Sequence, residues 1–164
     1  MVNESQNTIS PIERELIDYF VNAAQSFGLP KSYGEIYGLY FASETPLALD
    51  DVIERLKLSK GSASQGIRFL KSINALNSVY LPGDRRDHYT AETSLRKIAD
   101  GFIKERIRPQ LGNSTERLKA LKESQRSSHL KKQLRTLESW SKKGELILPF
   151  VTKFLGTNEA HKII

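Results

Sequence analysis

Cysteine is absent from this chain of 164 residues, which excludes disulfides and every thiolate metal site. Histidine is scarce. His88, His129 and His161 lie far apart with no pair at ligand spacing, so no metal is expected. Long apolar runs are missing too. The longest covers residues 146–151 and is interrupted by Pro149, whereas a membrane-spanning helix needs about 20 apolar residues. No membrane association is expected. The first ten residues, MVNESQNTIS, have neither a basic start nor an apolar stretch and do not read as a secretion signal. A cytoplasmic protein is the expectation. No nucleophile–base–acid set stands out, and the segment from Gly34 to Gly38 lacks the lysine of a nucleotide loop. The chain is therefore not expected to be an enzyme or to need a cofactor.

What is present suffices for a fold. Leu, Ile, Val and Phe make up about 27% of the chain, above the range in which burial fails to offset ordering entropy. The charge is basic, 25 Lys and Arg against 19 Asp and Glu for a net +6, and it is segregated. Residues 1–54 hold two basic and nine acidic side chains. Residues 55–86 hold seven basic ones against Asp84 alone, and residues 96–143 hold fourteen against five. A block as basic as 55–86 is a footprint for a polyanion, whereas 96–143 reads first as a solvated face.

Periodicity predicts mainly α structure. Residues 10–28 form an amphipathic helix with Ser10 as cap, Pro11 at the first position and Glu13 completing a capping box. Its apolar stripe is Ile12, Leu16, Phe20, Ala23, Ala24 and Phe27, and Gly28 with Pro30 ends it. Ser32 caps a second helix that buries Ile36, Leu39 and Tyr40 and stops near Ser43. Leu47-Ala48-Leu49 is a very short strand, and Asp50 or Asp51 caps a short helix carrying Val52, Ile53 and Leu56. Ser59 caps helix 60–74, whose inner side is Ala63, Ile67 and Leu70. Strands at 76–81 and 86–90 flank the turn Pro82-Gly83-Asp84, with His88 facing solvent and Tyr89 in the core. A helix from Thr93 to about Leu111 is kinked or ended by Pro109. Asn113 with Glu116 caps one long polar helix over 113–143 carrying Leu118, Leu121, Leu130, Leu134, Leu137 and Trp140, with its apolar stripe interrupted from Lys122 to His129. Gly144 breaks it, and a short helix follows near 146–155. Two short helices, a tight turn and a two-stranded hairpin make the winged helix–turn–helix pattern, in which the second helix presents a polar face to the DNA major groove.

With those residues in view, the sequence resembles the MarR-type winged-helix transcriptional regulators, and most of all the branch containing the glycine-betaine-synthesis repressor. The matching text is Gly28-Leu29-Pro30-Lys31-Ser32-Tyr33-Gly34-Glu35-Ile36-Tyr37-Gly38-Leu39-Tyr40 and Pro46-Leu47-Ala48-Leu49-Asp50-Asp51-Val52. It continues in Leu58-Ser59-Lys60-Gly61-Ser62-Ala63-Ser64 and Gly83-Asp84-Arg85-Arg86-Asp87-His88-Tyr89. The resemblance covers about residues 10–110. It implies a homodimer built from N- and C-terminal helices that represses or activates transcription, often under control of a small-molecule effector. The corresponding division is an N-terminal dimerisation helix at 1–31, a winged helix–turn–helix at 32–92 and a C-terminal helical dimerisation region at 93–164.

The DNA-binding candidates follow from position. At about 100° per residue, Gly61, Ser64, Gln65, Arg68 and Ser72 lie opposite the buried side of helix 60–74. Gly61 admits close backbone approach, Ser64 meets a base edge or phosphate, Gln65 suits adenine and Arg68 suits guanine or phosphate. Ser59, Lys60 and Ser62 sit at the helix N-terminus, where free amides favour phosphate. Arg85 and Arg86 occupy the wing tip, with Asp84 and Asp87 as local carboxylates that could orient them. The early aromatics Tyr19, Phe20, Phe27, Tyr33, Tyr37, Tyr40 and Phe41 suit core or dimer packing more than a quaternary-ammonium cage. The partner expected is double-stranded DNA. The rival is a winged-helix module for protein–protein interaction without a DNA role.

Overall fold

The computed structural model describes residues 9–124 and 127–157, in two compact units that divide between Thr93 and Ser94. The segment read for a secretion signal lies outside the described residues up to Thr8, as do His161 and, within the interruption from Lys122 to His129, Gln125 and Arg126.

In the first unit, helix α1 (Pro11–Ser26) starts as its sequence demands. The Ser10 hydroxyl accepts from the Glu13 amide at 3.3 Å, and the Glu13 carboxylate accepts from the Ser10 amide at 2.7 Å. Its buried side is Ile17, Val21 and Ala24, about one position round from the stripe expected, while Ile12 and Phe27 are exposed. The reason lies on α2 (Lys31–Ala42), which presents Gly34 and Gly38 one turn apart. A Cβ on Gly34 would lie 2.6 Å from the Val21 Cα, and one on Gly38 would lie 2.7 Å from the Ile17 Cα. The two backbones therefore touch, and the line of contact selects the residues that are buried. Helix α2 begins at Lys31 with Pro30 as its cap, so Ser32 lies inside the helix instead of capping it. Ile36, Leu39 and Tyr40 are buried as expected.

Strand β1 (Leu47–Ala48) leads directly into α3 (Leu49–Leu56). Ala48 is the cap here, not Asp50 or Asp51. Asp51 sits in the first turn, and its Oδ2 accepts from the Ala48 amide at 2.7 Å, a carboxylate favoured at a helix N-terminus. Lys57 turns the chain in the left-handed region at φ 55°, and α4 (Lys60–Ser72) follows. Ala63, Ile67 and Leu70 are buried as expected, but the helix stops two residues short of 74, where Asn74 takes φ 59°. Strands β2 (Leu76–Val79) and β3 (His88–Ala91) form the hairpin, both shorter than expected. The wing turn requires Gly83 at φ +86°, and the Asp84 amide donates to the Leu81 carbonyl at 3.2 Å.

β1 completes an antiparallel sheet in the order β1-β3-β2, with Ala48 and Val79 both opposite His88. Because β3 is central, His88 is 3% exposed, not solvent-facing as strand alternation alone suggests. The aromatics pair with one another. Phe20 meets Tyr37 and Phe41 with ring centroids 4.8 and 4.9 Å apart, and Tyr33 stacks on Phe69 at 4.7 Å. The Tyr37 hydroxyl donates to the Glu92 carbonyl at 2.6 Å. Burial, with the Glu92 charge, pushes that hydroxyl up to about 12.

The second unit holds α5 (Leu95–Phe102), a π-helical turn (Ile103–Ile107), α6 (Arg108–Ser124) and α7 (Ser128–Thr157). Pro109 does not end the helical path, which continues through it after the π turn. The wider π turn lies where a proline ring would meet the preceding turn's carbonyl, and the proline falls in the first turn of α6, where its missing amide costs little. Asn113 therefore lies inside α6 and caps nothing, and the one helix expected over 113–143 is divided between α6 and α7, which fold back on each other. Gly144 does not break α7, which also runs through Pro149, so the expected short helix near 146–155 is its final part. Antiparallel contact keeps both helices continuous. Leu111 packs beside Gly144, the Thr115 and Ser141 hydroxyls are 3.2 Å apart, and Lys122 meets Glu138 at 3.3 Å. No helix among the described residues is long and apolar enough to cross a membrane.

Candidate nucleic-acid interface

Helix α4 is amphipathic by construction. Its buried edge seats it on α2 and α3, which leaves Lys60, Gly61, Gln65 and Arg68 exposed and Ser62 and Ser64 half-buried. At its start the Ser59 hydroxyl accepts from the Ser62 amide at 3.2 Å and donates to the Ser62 hydroxyl at 3.1 Å. Both serines are thus engaged in capping, and Lys60 projects beside them as an exposed cation.

The outer side of α4 faces the wing across a concavity of about 510 Å³. Lys60, Ser64 and Arg68 line it from the helix, Arg86, Asp87 and Tyr89 line it from the wing, and Asp50 of α3 also stands on its wall. Lys71 closes the end, its ammonium 4.8 Å over the Tyr89 ring and 3.4 Å from the Tyr89 hydroxyl. A second concavity of about 740 Å³ runs along the wing and takes in Tyr80, Arg85 and again Lys71 and Arg86. Of the nine residues singled out by sequence, Lys60, Ser64, Arg68 and Arg86 therefore share one surface feature. Arg85 belongs to the wing side alone, and Ser59, Gly61, Ser62 and Gln65 line neither concavity.

Lys71 was missed by the sequence reading, although its spacing carries a signal. It lies about three helical turns after Lys60, which puts both on one side of the helix.

The two wing arginines differ. Arg86 is held by Asp84, with contacts of 2.7 Å to Nη2 and 3.1 Å to Nε, and the Arg86 amide also donates to Asp84 at 3.0 Å. The Arg86 side chain and amide hold the Asp84 carboxyl down at about 2. Buried His88 lies behind the arrangement, with Nδ1 2.9 Å from the Arg86 carbonyl and Nε2 3.3 Å from Asp84 Oδ2. The second carboxylate near Arg86 is Asp51 of α3, at 3.6 Å, in place of the expected Asp87. Such an arrangement presents donors and positive charge to an anion outside.

A search of solved structures finds a likeness to a transcriptional regulator with a TM-score of 0.66, covering 90% of this chain and 99% of that one at 16% identity. The fold is a winged helix–turn–helix. Among curated proteins of Bacillus subtilis (strain 168), the chain is similar to the HTH-type transcriptional repressor OpcR, 27% identical over 92 residues, or 56% of this chain and 50% of OpcR. It is also similar to the HTH-type transcriptional repressor GbsR, 28% identical over 88 residues, covering 54% and 48% of the two chains. The putative HTH-type transcriptional regulator YvaV matches at 26% over 92 residues, covering 56% and 52%. The chain spans about half the length of the curated relatives it matches. No family model matches it. The resemblance read from the sequence thus has named repressors on one side and a shared winged helix–turn–helix on the other.

Proposed function

We propose that this protein is a sequence-specific DNA-binding transcriptional regulator, a repressor acting in the cytoplasm as a homodimer and by binding, not by catalysis. The observation that carries the reading is the convergence of Lys60, Arg68, Lys71 and Arg86 on one concave face between α4 and the wing. A duplex offers about one phosphate per 1.7 Å along its axis, and a face on which these four cations outnumber Asp50 and Asp87 suits it. In this reading α4 enters the major groove. Gln65 and Arg68 meet base edges, Gly61 and Ser64 admit close approach, Ser59, Lys60 and Ser62 face the backbone, and Arg85 and Arg86 reach the flanking groove. The names of the relatives support it. Residues 32–92 supply the DNA-reading part, while 1–31 and 93–164 supply dimer contacts. Control by a small-molecule effector is carried over from the resemblance alone. The protein-interaction reading gains no support from so cationic a face.

Binding to a random-sequence duplex over a salt series tests the proposal. Affinity should fall steeply with salt. Replacing Arg85 and Arg86 together by alanine should shrink the slope of log affinity against log salt by about 3–4 units for a dimer, at about 0.9 per phosphate contact. A protein that binds no duplex at low salt, or a double variant with an unchanged slope, overturns it.

A further inference from the structure

Resting on that reading, the wing holds a feature that the DNA contacts themselves do not explain. Two carboxylates contact the Arg86 guanidinium, with Asp50 a further negative charge nearby, and the two are not equivalent. Asp84 is built into the wing, gripping the guanidinium at 2.7 and 3.1 Å while touching the buried His88 at 3.3 Å. Asp51 comes from α3, stands 3.6 Å from Nη1 and makes one contact, with both side chains part-exposed at 36% and 49%. Its other oxygen is occupied by the Ala48 amide. Arg86 also lies on both concavities of the proposed DNA face, so its guanidinium stands where a backbone phosphate would arrive. A guanidinium offers five donors in a fixed fork, and a phosphate oxygen can take the Nη1 side without disturbing the grip of Asp84 on Nε and Nη2.

We propose that Asp51 is a built-in competitor for Arg86: it holds the Nη1 side of the guanidinium in the DNA-free protein, must yield it to a DNA phosphate, and thereby lowers affinity for duplex of any sequence. Asp84 remains in place and keeps the arginine aimed. The effect restrains non-specific binding, the term that phosphate contacts dominate. It also links the helix–turn–helix to the wing, because the carboxylate that holds the first turn of α3 is the one that tethers Arg86.

The test uses the full chain and a random-sequence duplex at low salt. Asp51→Asn keeps an oxygen for the Ala48 amide and removes the charge facing Arg86. It should bind about two- to five-fold more tightly per protomer, the size of an exposed ion pair. In an Arg86→Ala background the same change should have no effect on affinity, because the competitor then has nothing to hold. If Asp51→Asn melts below the wild type, Asp51→Gln, whose side chain also serves at this position of a capping box, takes its place. Unchanged or weaker binding by the variant overturns the proposal. So does a gain of equal size in the Arg86→Ala background, which would reveal a general charge effect. A wild-type protein that binds no duplex fails the functional reading itself, a result distinct from a wild type that binds and a variant that matches it.

Discussion

One carboxylate, Glu13, closes the capping box of α1 by accepting from the Ser10 amide and also pairs with the Arg55 guanidinium of α3 at 2.7 Å. Arg55 is nearly buried, and its Nε has no hydrogen-bond partner among the described residues, so Glu13 is its compensating group. Burial acts to raise the Glu13 carboxyl, but the Ser10 amide and hydroxyl and the Arg55 guanidinium outweigh it and hold it below the ordinary carboxylate range. A carboxyl lowered in the folded state contributes stability above its unfolded pKa, and that contribution is lost as the pH falls through the folded value. Glu13→Gln should therefore cost about 1–3 kcal/mol at neutral pH, from the loss of a charged hydrogen bond to a nearly buried cation. The gap between variant and wild type should narrow as the pH falls from about 6 to about 3. Urea unfolding at several pH values measures it, and a gap independent of pH would contradict the assignment.

At the scale of elements, the pairing of α1 with α2 depends on two glycines whose absent side chains let the backbones touch. Gly38→Ala would drive a methyl to 2.7 Å from the Ile17 Cα, a backbone atom that cannot step aside. The gain in helix propensity, about 1 kcal/mol, is outweighed by overpacking, and a net loss of about 1–3 kcal/mol is expected. Gly112→Ala in α6 is the counterpart, since nothing lies within 4 Å of its added carbon. There the propensity term acts alone and stabilises by about 0.5–1 kcal/mol. Denaturation midpoints of the two variants should move in opposite directions, and a Gly38→Ala protein as stable as wild type would contradict the close contact.

At the scale of the whole molecule, α7 leaves Trp140, Leu146, Phe150 and Phe154 between 64% and 72% exposed. An apolar face of that extent marks an interaction surface in a soluble protein. A homodimer covers it most simply, and sedimentation at micromolar concentration should show a dimer. Phe150→Glu together with Phe154→Glu should shift the protein toward monomer while leaving the helical content of the first unit intact. A stable wild-type monomer would remove the dimer from the proposed function.

Local chemistry was enough to place much of this molecule. Ser10 and Glu13, Ser59, the Ala63–Ile67–Leu70 edge and the Pro82-Gly83-Asp84 turn each act within a few residues, so they were legible without a fold. The outward placement of Lys60 and Arg68 on α4 was legible for the same reason, as was the winged helix–turn–helix itself from the order of its parts. Tertiary contact decided the rest. The buried stripe of α1 moved because Gly34 and Gly38 set where two backbones meet. His88 became buried because β1 joined the far side of its strand, a pairing no hairpin reveals. Gly144 and Asn113 stayed helical because α6 and α7 brace one another, and packing across a helix pair outweighs a propensity penalty of up to about 1 kcal/mol at either position. Asp51 met Arg86 across 35 positions of sequence. Their meeting depends on β3 pairing with β1, the strand that leads into α3, so only the assembled structure brings that charge pair to the proposed DNA face.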